Sequence, residues 1–142
     1  MIRRRIIRTI DANINRICEG LRVLEDISRF ILEDAEISHQ LKSVRHQLNQ
    51  AADSIGLTLV EMRDSVGDIG ANYDLTLEHK DLCSIVRANA KRVQEGIRVL
   101  EELSKLSQLE LSVSPVQMKE ARYLVYSIEK TLISQLSNQN KD

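Results

Sequence analysis

The chain has no tryptophan, one phenylalanine, three tyrosines, one proline, five glycines and two cysteines in 142 residues. So few turn formers exclude a sheet with many tight turns and favour long helices. No stretch of about eighteen apolar residues occurs, and the N-terminus lacks the apolar run of a signal peptide, so the sequence predicts a soluble, cytoplasmic protein with no membrane partner. Twenty basic residues against twenty-one acidic ones give a formal charge of −1, which offers nucleic acid no general attraction. Only the N-terminus is locally basic, at Arg3, Arg4, Arg5 and Arg8. Cys18 and Cys83 form no metal motif and read as reduced, core-type thiols. His39 and His46 lack the carboxylate or cysteine pattern of a metal site and read as surface residues, while His79 stands alone. The chain contains no G-x-x-x-x-G-K-[ST], G-x-G-x-x-G, H-E-x-x-H or G-x-S-x-G, and no nucleophile with a paired base can be named.

What the chain does have is a repeat. Asp11 to Phe30, DANINRICEGLRVLEDISRF, returns 76 positions later as Arg87 to Leu106, RANAKRVQEGIRVLEELSKL, with ten of twenty positions identical. The match continues, since Leu41-Lys42-x-Val44-Arg45 answers Met118-Lys119-x-Ala121-Arg122. On a helix, Ile14, Ile17, Leu21 and Leu24 form a core-facing stripe. Asn13, Arg16, Glu19, Gly20 and Val23 share an adjacent side. A glycine in mid-helix costs about 1 kcal/mol relative to alanine, and here it occurs in both copies, at Gly20 and Gly96. Something must come close to the backbone there, either a partner helix or a ligand held by the Asn, Arg and Glu side chains.

The periodicity predicts an all-α fold. The first helix runs from Thr9 or Asp11, either of which could cap it, to about Glu33. After a break near Asp34 to Ile37 comes a second, with Leu41, Val44, Leu48 and Ala52 inward and Gly56 as its stop. The third starts between Thr76 and Asp81. The fourth starts with a capping box, Ser114, Pro115 and Gln117, and runs to about Gln135 before a frayed polar tail. Four long helices thus form two repeated helical hairpins, paired about an approximate twofold axis as a bundle with a long central loop. Residues 1–142 read as a single helical domain, with repeat one at about 9–56, the loop at about 57–79 and repeat two at about 80–137.

A connection of about twenty residues needs a reason. Its stretch Arg63-Asp64-Ser65-Val66-Gly67-Asp68-Ile69-Gly70 has tight-backbone glycines, two carboxylates and an arginine. It reads as a phosphate and metal-ion loop or a lid, or else as an ordinary polar turn. Arg22, Glu25 and Asp26 read as surface ion pairs on the helix. Asn13, Arg16 and Glu19 beside the glycine suit either a buried network locking the halves together or a ligand site.

DANINRICEGLRVLED, RANAKRVQEGIRVLEE, the LKSVRHQL helix and the RDSVGDIG loop together resemble the small all-helical hydroxymethylpyrimidine-phosphate kinase family of thiamine biosynthesis. That module occurs alone or fused ahead of a thiamine-phosphate synthase domain, and such chains are often labelled thiamine-phosphate pyrophosphorylase. The resemblance spans nearly the whole chain, most clearly Ile10 to Leu106. Val66 stands where the family pattern has a proline. The resemblance implies an ATP-dependent kinase that uses Mg²⁺ and converts 4-amino-5-hydroxymethyl-2-methylpyrimidine phosphate to the diphosphate. The synthase is a barrel of about 250 residues with eight strands, and this chain is too short and too helical to contain one.

On that resemblance and the repeat, Arg16, Arg92 and Arg63, with Arg45 and Arg122 behind them, would meet phosphate oxygens. Asp64, Asp68, Glu19 and Glu95 would serve as catalytic carboxylates, with Asp64 and Asp68 holding Mg²⁺. Asn13 and Asn89 would hydrogen-bond the aminopyrimidine edge or phosphate. The alternative function is a non-catalytic helical module that binds a thiamine intermediate or partners a thiamine-phosphate synthase. Homodimerisation is compatible with either.

Overall fold

Apolar residues recur along the first helix at Ile7, Ile10, Ile14, Ile17, Leu21 and Leu24, and all six are buried. This stripe begins upstream of the expected start, and so does the helix. In the computed structural model, which describes residues 1–55, 57–71, 78–107, 109 and 113–139, α1 runs from Ile2 to Asp26. The two expected caps therefore lie inside it. The Thr9 hydroxyl donates to the Arg5 carbonyl at 2.9 Å, and Asp11 is buried. α1 continues as a π-helix over Ile27–Ile31. It closes through Glu33 in the left-handed region, φ 52°.

Asp34 then caps α2, Ala35–Ile55, by accepting the Ile37 amide at 3.0 Å. Its inward residues are Ile37, Leu41, Val44, Leu48 and Ala51, with the expected Ala52 only half-buried. Gly56, the expected stop, lies outside the described residues. The segment read as loop opens with a short helix, α3, Leu57–Met62, whose Leu59 joins the core. α4 spans Leu82–Leu103, with the Asp81 carboxylate accepting the Ser84 amide at 2.8 Å. Thr76, the other limit given for its start, lies outside the described residues.

The capping box before α5 forms as its spacing predicts. The Gln117 amide donates to Ser114 Oγ at 3.2 Å and the Ser114 amide to Gln117 Oε1 at 2.9 Å. α5, Pro115–Gln139, takes in half of the supposed tail, and Asn140 to Asp142 lie outside the described residues. Among the described residues there are helices and turns only, and no helix is long and apolar enough to cross a membrane.

The glycine question is settled by packing. α1 and α4 lie against each other, α2 packs on α1 and α5 on α4, while α2 and α5 touch little. A Cβ added to Gly20 would stand 2.7 Å from Val93 Cγ2 and 3.1 Å from the Asn89 carbonyl; one added to Gly96 would stand 2.6 Å from Ile17 Cγ1. Each glycine thus receives the same partner position of the other repeat, which makes the crossing antiparallel and reciprocal. A partner helix, and no ligand, occupies the space the glycines leave.

Candidate functional site

Arg63 follows α3 directly, and its guanidinium grips a carboxylate in the middle of α1. Nε and Nη2 donate to the two oxygens of Asp11 at 2.8 and 2.7 Å. Asp11 is only 5% exposed, so this forked pair fixes the turn after α3 against α1 and raises the Arg63 pKa above its ordinary value. Arg8 adds a second tie by donating to the Asp64 carbonyl at 3.2 Å. Within the turn, Asp64 Oδ1 accepts the Gly67 amide at 2.7 Å and Asp68 Oδ1 accepts the Gly70 amide at 3.0 Å.

The result is a cleft of about 510 Å³ between the first half of α1 and the turn. It gathers Asn13, Arg16, Arg63, Asp64 and Asp68, five of the residues expected from the sequence, from stretches some fifty positions apart. Arg5, Arg8, Thr9, Asp11, Asn15 and Ser65 complete its polar lining. Four arginines face three aspartates, so the cleft carries a positive excess, and Arg16 forms no salt bridge among the described residues.

The other expected residues go elsewhere. Arg92 reaches across to Glu19 at 3.1 Å, an exposed pair that links α4 to α1. Glu95 sits beside Lys91 at 4.0 Å. Asn13 and Asn89 each spend an amide N–H on their own helix, donating to the Thr9 and Ile85 carbonyls at 2.8 and 2.9 Å. Arg45 and Arg122 are engaged by Glu25 and Glu101, which are only 5% exposed. Glu25, taken as a surface residue, is therefore buried, as is its counterpart Glu101: Arg45 Nε donates to Glu25 Oε2 at 3.2 Å and Arg122 Nε to Glu101 Oε2 at 3.0 Å. Glu101 lifts the Arg122 pKa further. Cys83 is buried and Cys18 half-buried, and burial raises the Cys18 thiol's pKa.

Asp11 was expected only as a possible cap, although a signal for more was there. Asp11 sits four residues after Ile7 and three before Ile14, squarely in the apolar stripe, where a carboxylate demands a partner. Glu25 and Glu101, four after Leu21 and Ile97, carry the same signal.

The expected Mg²⁺ finds no ready-made cage. Asp64 and Asp68 each give an oxygen to a backbone amide, and among the described residues no three His, Cys, Asp or Glu side chains converge as a metal site.

Fold and site together define an all-helical protein of two repeated hairpins, with an arginine-rich cleft flanking the central crossing. Residues 8–131 match the model of the ThiD2 family, and the chain belongs to that family. Among its relatives are the thiamine-phosphate synthase of Rhodopirellula baltica, 34% identical over 96% of this chain and 36% of its own length, and that of Nostoc punctiforme, 35% identical over 94% and 37%. The thiamine-phosphate synthase of Gloeobacter violaceus is 37% identical over 89% of this chain and 36% of its own length. The chain thus spans little more than a third of the relatives it matches. No solved structure matches it. These relatives support the thiamine-biosynthesis side of the expected family. They overturn the expected enzyme class, because they are named as a synthase and not as a hydroxymethylpyrimidine-phosphate kinase, and they lend ATP no support.

Proposed function

We propose that this chain is a helical binding module of thiamine biosynthesis, which holds a phosphorylated pyrimidine intermediate in the cleft between α1 and the Arg63–Asp68 turn and works beside a thiamine-phosphate synthase. The observation that carries the reading is the state of Arg16. Its repeat counterpart Arg92 is neutralised by Glu19, whereas Arg16 lines the cleft and has no acidic partner among the described residues. With Arg5 and Arg8 it offers several N–H donors to a phosphate, and a phosphate would replace the water such groups otherwise keep. Asn13 and Asn15 each offer an amide oxygen that can accept from an amino group on the ring. Asp11, locked to Arg63, shapes the wall without repelling the ligand at full charge.

Association with a synthase is supported by two facts. Relatives carry the corresponding stretch within a longer thiamine-phosphate synthase chain. The described residues are helices and turns, so they do not supply the eight-stranded barrel expected of the synthase.

Calorimetric titration tests the reading with the pyrimidine monophosphate and diphosphate, the thiazole phosphate and inorganic phosphate as ligands. A pyrimidine phosphate should bind better than inorganic phosphate, and Arg16→Ala should weaken it about tenfold or more, the loss of one charge-assisted contact. If the folded protein binds none of the pathway phosphates, or if Arg16→Ala binds as the unaltered chain does, the cleft is not their site.

A further inference from the structure

The second half has a cleft of its own, about 720 Å³ between α4 and α5. Its character comes from positions at which the two repeats differ. At an offset of 76, Arg87 stands where the first repeat has Asp11, and Lys91 where it has Asn15; at an offset of 77, Tyr126 stands where it has Asn49. The framework behind these residues is common to both halves, since Glu101 holds Arg122 as Glu25 holds Arg45. The cations and the ring are therefore not a by-product of the packing that the halves share.

The walls are also set. Buried Gln94 donates to Glu129 Oε1 at 3.0 Å and so fixes that carboxylate against α4. Lys91 and Glu95 are 4.0 Å apart and both widely exposed, a contact that water screens and an incoming anion would compete with. On α5 the Tyr123 and Tyr126 rings lie 5.8 Å apart, and the Arg122 guanidinium carbon lies 5.1 Å from the first ring centre and 6.0 Å from the second. Held by Glu101, Arg122 cannot swing out to a ligand. It stays as a flat cation beside Tyr126, a residue 43% exposed.

We propose that the α4–α5 cleft is a second binding site, separate from the one beside the Arg63–Asp68 turn, for a planar aromatic anion whose ring lies against Tyr126 and whose phosphate or carboxylate is held by Arg87 and Lys91. An offset-stacked ring and two charge-assisted contacts are each modest in water, and together they select a ligand that has both features.

Aromatic NMR signals test this directly, because one phenylalanine, three tyrosines and no tryptophan give a sparse spectrum in which Tyr126→Phe identifies the Tyr126 ring. The intact chain is titrated with phenyl phosphate, benzoate, phenol and inorganic phosphate. The Tyr126 signals should shift saturably with phenyl phosphate or benzoate, the tighter of the two telling phosphate from carboxylate, and should hardly move with phenol or inorganic phosphate. Replacing Arg87 and Lys91 together by alanine should weaken the response about tenfold or more, while Arg16→Ala leaves it unchanged. Helical circular dichroism verifies that each variant is folded. The proposal is overturned if no aromatic anion shifts Tyr126, or if folded Arg87→Ala/Lys91→Ala responds as the unaltered chain does. Since Arg16→Ala acts only on the first cleft, the two sites stand or fall separately.

Discussion

Asp34 ties two helices together with one carboxylate. It follows the left-handed turn that ends the first helix, caps α2 through the Ile37 amide at 3.0 Å, and takes the Gln135 amide of α5 at 2.9 Å. These contacts, the Ile37 amide foremost, hold its pKa below the usual carboxylate value. A depressed pKa means stability that is present above the unfolded value and lost as pH falls through the folded one. Asp34→Ala should therefore cost about 1 kcal/mol near neutral pH, with the two stability curves converging as the pH drops below about 4. Thermal unfolding followed by circular dichroism across that range checks it; a gap that stays constant down to pH 2 would show that the charge contributes nothing. The break near Asp34 was legible in the sequence, because Asp followed by an apolar period is a helix start. The bond to Gln135 was not, since it joins residues 101 positions apart.

At the scale of elements, α1 and α4 are set by their glycines. Gly20→Ala and Gly96→Ala each drive a methyl into a neighbouring side chain, Val93 or Ile17, at under 3 Å. Alanine is the better helix former, so an isolated helix would gain about 1 kcal/mol. In the folded chain that gain should be outweighed, leaving each variant about 1–3 kcal/mol less stable by urea unfolding. A stabilised variant would mean that the helices separate at little cost.

The repeat exposed both glycines in the sequence, and it left open whether a helix or a ligand filled the gap. Composition could not decide, because the answer depends on which face of α1 meets α4. The start of α1 was misplaced for a related reason. Thr9 and Asp11 have the chemistry of caps, but Ile7 and Ile10 extend the buried stripe past them, and packing overrides the local preference. Of the candidate site, Arg16, Arg63 and the turn aspartates were visible as unexplained polar residues. That they meet depends on Asp11, whose tie to Arg63 is a tertiary fact.

For the molecule as a whole, the buried Glu25–Arg45 and Glu101–Arg122 pairs play one part in each half. Removing the acid leaves an arginine with little solvent, so Glu25→Ala and Glu101→Ala should each destabilise by about 2–4 kcal/mol, and by similar amounts. Urea unfolding measures both. A large loss in one half alone would show that the two pairs, alike in position, are unlike in energy.

The reciprocal contact of Gly20 with Asn89 and Val93, and of Gly96 with Asn13 and Ile17, is the pattern of an isologous dimer written into one polypeptide. In such a dimer a single residue change is felt twice, at symmetry-related places. Joined in one chain, the copies are released from that constraint. They remain alike at the seam, where Gly20 and Gly96 do the same work, and part company on their flanks, where Asp11 anchors an arginine and its counterpart is itself an arginine, Arg87. A symmetric scaffold in one chain thus carries two unlike surfaces.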